Sequence, residues 1–390
     1  MAGGVGGNSN LLEVLSEFEY LIQDKDEKFL RKAFASAHLN VLLGSGFSSE
    51  IVPTLGNRES WFQGVDEWSR DSPQDSVRSI ARGLLRAEYF HSIMFPLRDA
   101  RPKSAQKDFI SAVVRLIENR GATTLPQRVN IFTTNYDPMV ELSLEEIGIP
   151  FNDGFTGRVA SQFEPSSFSR LMYEQSLFME YVSQVTTANV LKPHGSLTWR
   201  RDTGGRIVYS RLEDTLDAFL GDGEDVLGLS AIGEIADLIK KPFEEADITK
   251  LKRIVESLSE DDKELVRTFT ERYDSVLCIV NPAKRKFEET VLEQSYYDLL
   301  RIYANELDRN NALLLVFGFS FADEHILELT KRAARSNPKL MIVISCHSRK
   351  GIKRFKELFP NADNIYFLVP KGDEKLNLEN LTKVLRCVAK

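Results

Sequence analysis

Two polar turns, each closing an apolar run, carry the residues best suited to do chemistry. In Thr133-Thr134-Asn135-Tyr136-Asp137 an amide and a carboxylate stand close together, and in Lys192-Pro193-His194-Gly195-Ser196 an imidazole follows a second run. Both turns fall where a buried strand would end, and ligands of open α/β sheets collect outside strand ends. Asn135 is of a size to fix a hydroxyl or a water, and Asp137 to orient its neighbours. His194, with an ordinary pKa of about 6.5, can be a neutral base. Gly195 permits close approach of a ligand. Taken singly, each residue also has a structural reading: Asn135 or Asp137 as a helix N-cap, and His194 as a satisfied residue behind a strand.

Two glycine turns suggest the ligand. After Val41-Leu42-Leu43, the turn Gly44-Ser45-Gly46-Phe47-Ser48 lacks side chains at two positions. Backbone could there approach a pyrophosphate, with the N–H groups of a following helix facing its charge. Ser49 stands where a full GxGxxG fingerprint has its third glycine, so a tight structural turn and a nucleotide site both remain open. The run Ala312 to Phe317 ends in Gly318-Phe319-Ser320-Phe321-Ala322-Asp323-Glu324-His325. Ser320 or Asp323 could cap the next helix, and His325 could touch a ligand or face solvent. His38, His91 and His347 stand without an HExxH or carboxylate-rich partner, and Cys278, Cys346 and Cys387 form no CxxC pair. Neither a zinc site nor a disulfide framework is indicated.

The elements that must position these turns are short apolar or β-branched runs at Val41 to Leu43, Val129 to Phe132, Val190 to Leu191, Val276 to Val280, Ala312 to Phe317, Leu340 to Ile344 and Ile365 to Val369. They read as buried parallel strands. Helical spacing is expected over Leu12 to Ile22, Phe29 to Ala37, Ser76 to Phe95, Lys107 to Asn119, Met139 to Ile147 and Tyr296 to Leu307. The alternation predicts an α/β protein with a doubly wound, mostly parallel, Rossmann-like sheet. Residues 53–126 and 200–272 are too long for single crossovers and read as helical insertions, the second strongly charged, with a loop tip at Gly221-Asp222-Gly223-Glu224. Residues 1–10, rich in Gly, Asn and Ser, read as a flexible tail, leaving one domain over 11–390. Lys284-Arg285-Lys286 reads as a solvated turn.

Composition restricts the setting. With 42% hydrophobic and 27% charged residues the chain has the balance of a globular protein, and no apolar run reaches the roughly 18 residues of a membrane span. The start lacks the basic flank and apolar centre of a signal peptide, so a cytoplasmic location is expected. A net charge of -7 does not favour direct nucleic-acid binding.

In chain order, the four turns resemble motifs of the sirtuin superfamily, and more closely those of bacterial sirtuin-like NAD hydrolases of antiphage defence. Gly44-Ser45-Gly46-Phe47-Ser48 resembles the family's glycine turn, Thr133-Thr134-Asn135-Tyr136-Asp137 its asparagine motif, His194-Gly195-Ser196 its catalytic histidine motif, and Gly318-Phe319-Ser320 its late nucleotide-binding turn. The resemblance implies catalysis by Asn135 and His194, with Thr134, Asp137, Asp323, His325 and the two glycine turns around NAD. The Asp323-x-His325 pair looks like the defence branch. Two departures stand out: no cysteine occupies the region after His194 where protein deacylases carry a zinc ribbon, and the usual aspartate-phenylalanine-arginine element is not legible near Pro53 to Arg58. The resemblance therefore implies an NAD hydrolase without zinc. Stand-alone chains of this kind resemble the sirtuin-like partner of a HerA-type ATPase, in which subunits assemble into a ring, so the resemblance implies homo-oligomerisation and control by assembly. A protein deacylase and a noncatalytic sensor of NAD or ADP-ribose are the alternatives.

Overall fold

The computed structural model describes residues 18–20, 27–53, 55–67, 75–120, 125–177, 181–220, 224–280, 294–360, 363–370 and 374–389. Its strands, in chain order, are β1 (Phe18–Tyr20), β2 (His38–Leu43), β3 (Arg128–Thr133), β4 (Phe151–Asn152), β5 (Phe155–Thr156), β6 (Gln162–Phe163), β7 (Tyr173–Gln175), β8 (Val182–Gln184), β9 (Thr187–Leu191), β10 (Gly195–Arg201), β11 (Ile207–Tyr209), β12 (Leu277–Ile279), β13 (Ala312–Phe317), β14 (Met341–Ser345) and β15 (Ile365–Pro370). Eight of these form one sheet in the order β1-β15-β14-β13-β2-β3-β9-β4. Every pairing within it is parallel except β1 with β15.

From β2 the chain winds one way through β3 to β9, then returns to the other side of β2 and winds through β13, β14 and β15. This is a doubly wound sheet whose order reverses between β2 and β13, and such a reversal opens a crevice at the strand ends. Burial on both faces explains the unbroken apolar runs: β13 is buried throughout, as is β2 from Leu39 onward. On one face Leu39, Val41 and Leu43 meet Phe109 and Val113 of helix Ser104–Glu118 and Leu381 of helix Leu378–Val388. On the other, Leu42, Leu314 and Val316 meet Leu299 and Tyr303 of helix Gln294–Leu307 and Ile326 of helix Glu324–Ser336.

A polar ladder crosses the sheet interior. Asn130 Nδ2 donates to Asn40 Oδ1 and Asn189 Nδ2 to Asn130 Oδ1, each at 2.9 Å, and Asn189 Nδ2 also donates to the Phe168 carbonyl at 3.1 Å. The three asparagines are Cα partners across β2, β3 and β9, so the ladder ties the register of the strands that end in the candidate site.

Several expectations need correction. Phe18–Tyr20 is a strand pairing with β15, not part of a helix through Ile22. Val276 to Val280 contributes β12, which pairs antiparallel with β10 in a second sheet, β12-β10-β11-β6-β5. A short apolar run carries no information about which sheet it joins or in which direction. The helix expected over Ser76 to Phe95 is α-helical over Asp75–Tyr89, then widens into a π turn, Phe90–Met94, and tightens into a 3₁₀ turn, Phe95–Asp99. Pro96 has no N–H for the Ser92 carbonyl, so the α ladder cannot continue there. The second insertion opens as a hairpin, β10 with β11, turned by Asp202, whose Oδ1 accepts from Gly204 N and Arg206 N.

Beyond that hairpin the insertions are helical: Ser230–Leu238, Ile248–Ser257 and Glu260–Val276 pack on Asp75–Tyr89, as does Arg58–Glu67, and Leu212–Leu220 packs on Glu260–Val276 and the 3₁₀ turn Phe95–Asp99. Arg86 pairs with Asp274 at 2.7 Å, and Trp61 Nε1 donates to the Lys241 carbonyl at 2.8 Å while its ring meets Phe243 edge-on. The sequence expectations for residues 1–17, 221–223 and 284–286 lie outside the described residues.

Candidate active site

The two glycine turns meet at the switch point. Gly44 N donates to the Phe317 carbonyl and Gly46 N to the Gly318 carbonyl, at 3.1 and 3.0 Å. A Cβ on Gly46 would lie 2.5 Å from Gly318 Cα, and Gly318 itself has φ +64°. The glycines are thus required first by each other, since β2 and β13 cannot place their exits this close with side chains between them. Gly44 is followed by a 3₁₀ turn, Ser45–Phe47, and among the described residues no α-helix begins between that turn and Arg58. The helix N-terminus expected behind Gly44 is therefore not supplied there. The helix that does begin at the switch point is Glu324–Ser336, capped by Asp323.

Asp323 joins two distant parts of the chain. Its Oδ1 accepts from His325 N and Ile326 N at 3.0 Å, and its Oδ2 lies 2.9 Å from Nε2 of His194. Both side chains are more than nine-tenths buried. The approach is close but is a charge contact rather than an aligned hydrogen bond. A carboxylate this near Nε2 favours the tautomer with the proton on that nitrogen, leaving the lone pair on Nδ1, and stabilises the ring if it gains a second proton. His194 reaches this position because Gly195 takes φ +78° beneath the Cys278 carbonyl, where a Cβ would lie 1.9 Å from oxygen. The His194 carbonyl accepts from Val280 N at 2.9 Å, which anchors the turn to the second sheet.

Asn135 faces this dyad across a cavity of about 250 Å³ that also exposes Ser45, Ser48, Thr134, Asp137, Gly318, Phe319, Ser320 and Asp323. The Asn135 amide donates to the Gly44 carbonyl at 3.1 Å and to Ser48 Oγ at 3.2 Å. No donor among the described residues reaches its Oδ1. Asp137 Oδ1 accepts from Met139 N at 3.1 Å, but Pro138 holds the N-cap position of helix Met139–Glu146, so Asp137 serves the helix start from one residue before the cap. Gly44 and Gly46 lie behind the cavity, in the contact with Gly318. Phe47 turns into the core against Phe109, and His325 lies outside the cavity lining. Phe321, bulky and buried, holds φ +56°, a strained conformation next to the site.

Four features escaped the sequence reading. Tyr136 points away from the asparagine motif to donate to the Val280 carbonyl at 2.5 Å. Tyr89, fully buried, hydrogen-bonds Tyr136, and burial pushes its phenol well above the usual range, with Tyr136 adding to the effect. The π turn that follows Tyr89 supplies Ile93 and Met94 to the cavity wall, and π turns recur at functional sites. Lys192 is buried beneath the Asn135 and His194 turns and pairs with Glu141 at 2.9 Å. A lysine closing an otherwise apolar strand was its one visible signal. Among the described residues no group of three or more His, Cys, Asp or Glu could hold a metal ion. No helix among them is long and apolar enough to cross a membrane.

Fold and site together define a doubly wound α/β protein with a ligand crevice at its switch point, walled by the turns that carry Asn135, His194 and Asp323. No family model matches the sequence, and no curated protein matches it. Among solved structures, the chain is similar to one described as a crystal structure of a Sir2 homolog–NAD complex. The alignment covers 96% of this chain and 98% of that one, at 15% identity and a TM-score of 0.45.

Proposed function

We propose that this protein hydrolyses NAD at the bond between nicotinamide and ribose, giving nicotinamide and ADP-ribose. The observation that carries the reading is the buried His194–Asp323 pair, 2.9 Å apart, on a cavity that Asn135 enters from a different strand end. At about 250 Å³ the cavity falls below the roughly 300–1,000 Å³ of pockets that enclose a whole ligand, and it suits one end of a dinucleotide. The nicotinamide ribose would occupy it, with the remainder of NAD passing over the Gly46–Gly318 crossing.

In this mechanism the C1′–N bond breaks with its electron pair passing to the pyridinium nitrogen, so nicotinamide leaves neutral. Positive charge develops on the ribose, and water adds to C1′. Asn135 Oδ1 holds that water or a ribose hydroxyl. His194 Nδ1 takes the proton, and Asp323 stabilises the imidazolium that results. Positioning a weak nucleophile and offering a base are effects of known size, a general base contributing roughly 10²–10⁴-fold. The cysteine-free stretch after His194 favours water over an acylated protein as acceptor.

The resemblance to antiphage effectors supports a wider reading. The enzyme would draw on cytoplasmic NAD, assemble as a ring-like homo-oligomer, and be held in check or released by a HerA-type ATPase. The test is nicotinamide release from NAD by wild type, Asn135→Ala and His194→Ala, each with and without a candidate ATPase. His194→Ala is expected to lose about 10²–10⁴-fold while remaining folded. Normal turnover in the folded variant refutes the assignment, and turnover that requires an acyl-lysine peptide makes the protein a deacylase. An elution volume unchanged by the ATPase removes the partner.

A further inference from the structure

Lys192 is 1% exposed. An ammonium buried this deeply is costly unless it is paired and hydrogen-bonded, and here its contacts are specific. Nζ donates to the Asp137 carbonyl at 2.5 Å, lies 2.9 Å from Glu141 Oε1, and reaches Ser196 Oγ at 3.4 Å. Asp137 closes the turn that presents Asn135 at the end of β3, and Ser196 follows His194 and Gly195 at the start of β10. One cation therefore bridges the two turns that wall the cavity, from behind and outside its lining. Glu141, in the helix that leaves the asparagine turn, neutralises it, so the pair adds little net charge to a site where positive charge would develop.

Fold stability alone does not call for such a pair, because well-packed apolar replacements of buried ion pairs are often neutral or stabilising. What an apolar pair cannot do is hold the Asp137 carbonyl. We propose that Lys192, oriented by Glu141, is a positioning residue that fixes the Asn135 turn against the His194 turn. The inference rests on the hydrolase reading above, and Lys192 is given no contact with substrate. The backbone bond from Leu197 N to the Tyr136 carbonyl at 3.1 Å joins the same two turns, so losing Lys192 loosens the arrangement without dissolving it.

Two double variants separate the roles. Lys192→Met with Glu141→Leu keeps volume and discards every polar contact, whereas Lys192→Gln with Glu141→Gln removes both charges and keeps a donor for the Asp137 carbonyl. Nicotinamide release is expected to show kcat lowered at least about tenfold in the Met/Leu variant with KM for NAD within about twofold, since small misplacements act on the reacting geometry. The Gln/Gln variant is expected to recover most of kcat. Equal kcat in the two variants overturns the proposal, as does a loss confined to KM. Wild type that releases no nicotinamide refutes the hydrolase reading instead. The positioning claim is then read without substrate, from amide hydrogen exchange across residues 133–139. Exchange there should be faster in the Met/Leu variant than in the Gln/Gln variant, and equal rates overturn it.

Discussion

Asp323 carries two duties on two oxygens, and the division can be cut with one substitution. Its Oδ1 caps helix Glu324–Ser336 while its Oδ2 faces His194. Asparagine caps a helix about as well as aspartate, so Asp323→Asn should preserve the helix start and remove only the negative charge beside the imidazole. Nicotinamide release should fall about 10²-fold or more, because an orienting aspartate replaced by its amide leaves the ring in the wrong tautomer. The melting temperature should stay close to that of wild type. If activity and melting temperature fall together, Asp323 is a cap and little else. His194 and Asp323 were each legible in the sequence as candidates, but their pairing was not, since it depends on β9 and β13 ending at the same edge of the sheet. Glu141 shows the same limit from another side: burial raises its carboxyl above the usual range, Lys192 opposes that rise, and neither effect exists until the helix is packed.

At the level of elements, the central strands could be read because parallel strands covered on both faces are apolar from end to end. The asparagine ladder is the exception within them and makes a prediction of its own. Asn130→Leu should leave Asn40 Oδ1 without its donor and Asn189 without one acceptor, at about 1–3 kcal/mol for each stranded group. In urea the midpoint should drop with an unchanged slope. Combining it with Asn40→Leu should cost less than the sum of the two, because removing both partners of a buried hydrogen bond is cheaper than removing one. Strict additivity would show that the ladder is not a coupled unit. The elements misread from sequence failed for identifiable reasons. Phe18–Tyr20 and Leu277–Ile279 are three residues each, too short for any period to declare itself. The π turn after Tyr89 keeps the composition of a helix and differs only in its hydrogen bonding.

In the whole molecule, the cavity lies between the carboxyl edge of the sheet and a cap made from the first insertion. Leu55, Glu59, Tyr89, Ile93, Met94 and Leu97 form the cap side of the lining, with Val52 immediately before the insertion. Among the described residues the second insertion does not line the cavity; the helix that ends it, Glu260–Val276, braces the first through Arg86 with Asp274 and through Gly83, where a Cβ would lie 2.4 Å from Val266. A ligand bridging sheet and cap should therefore stabilise the whole fold rather than one lobe. ADP-ribose at a hundredfold excess over its dissociation constant is expected to add about 2.7 kcal/mol, visible as a single thermal transition displaced upward by a few degrees. His194→Ala should show the same displacement, because on this reading the imidazole serves the chemical step more than product binding. Gly46→Val should show none, since its side chain would drive the β2 exit away from Gly318 and open the crossing on which the phosphates are proposed to rest. A displacement retained in Gly46→Val would move the dinucleotide off the glycine crossing, and none in wild type would leave the cavity without its proposed ligand.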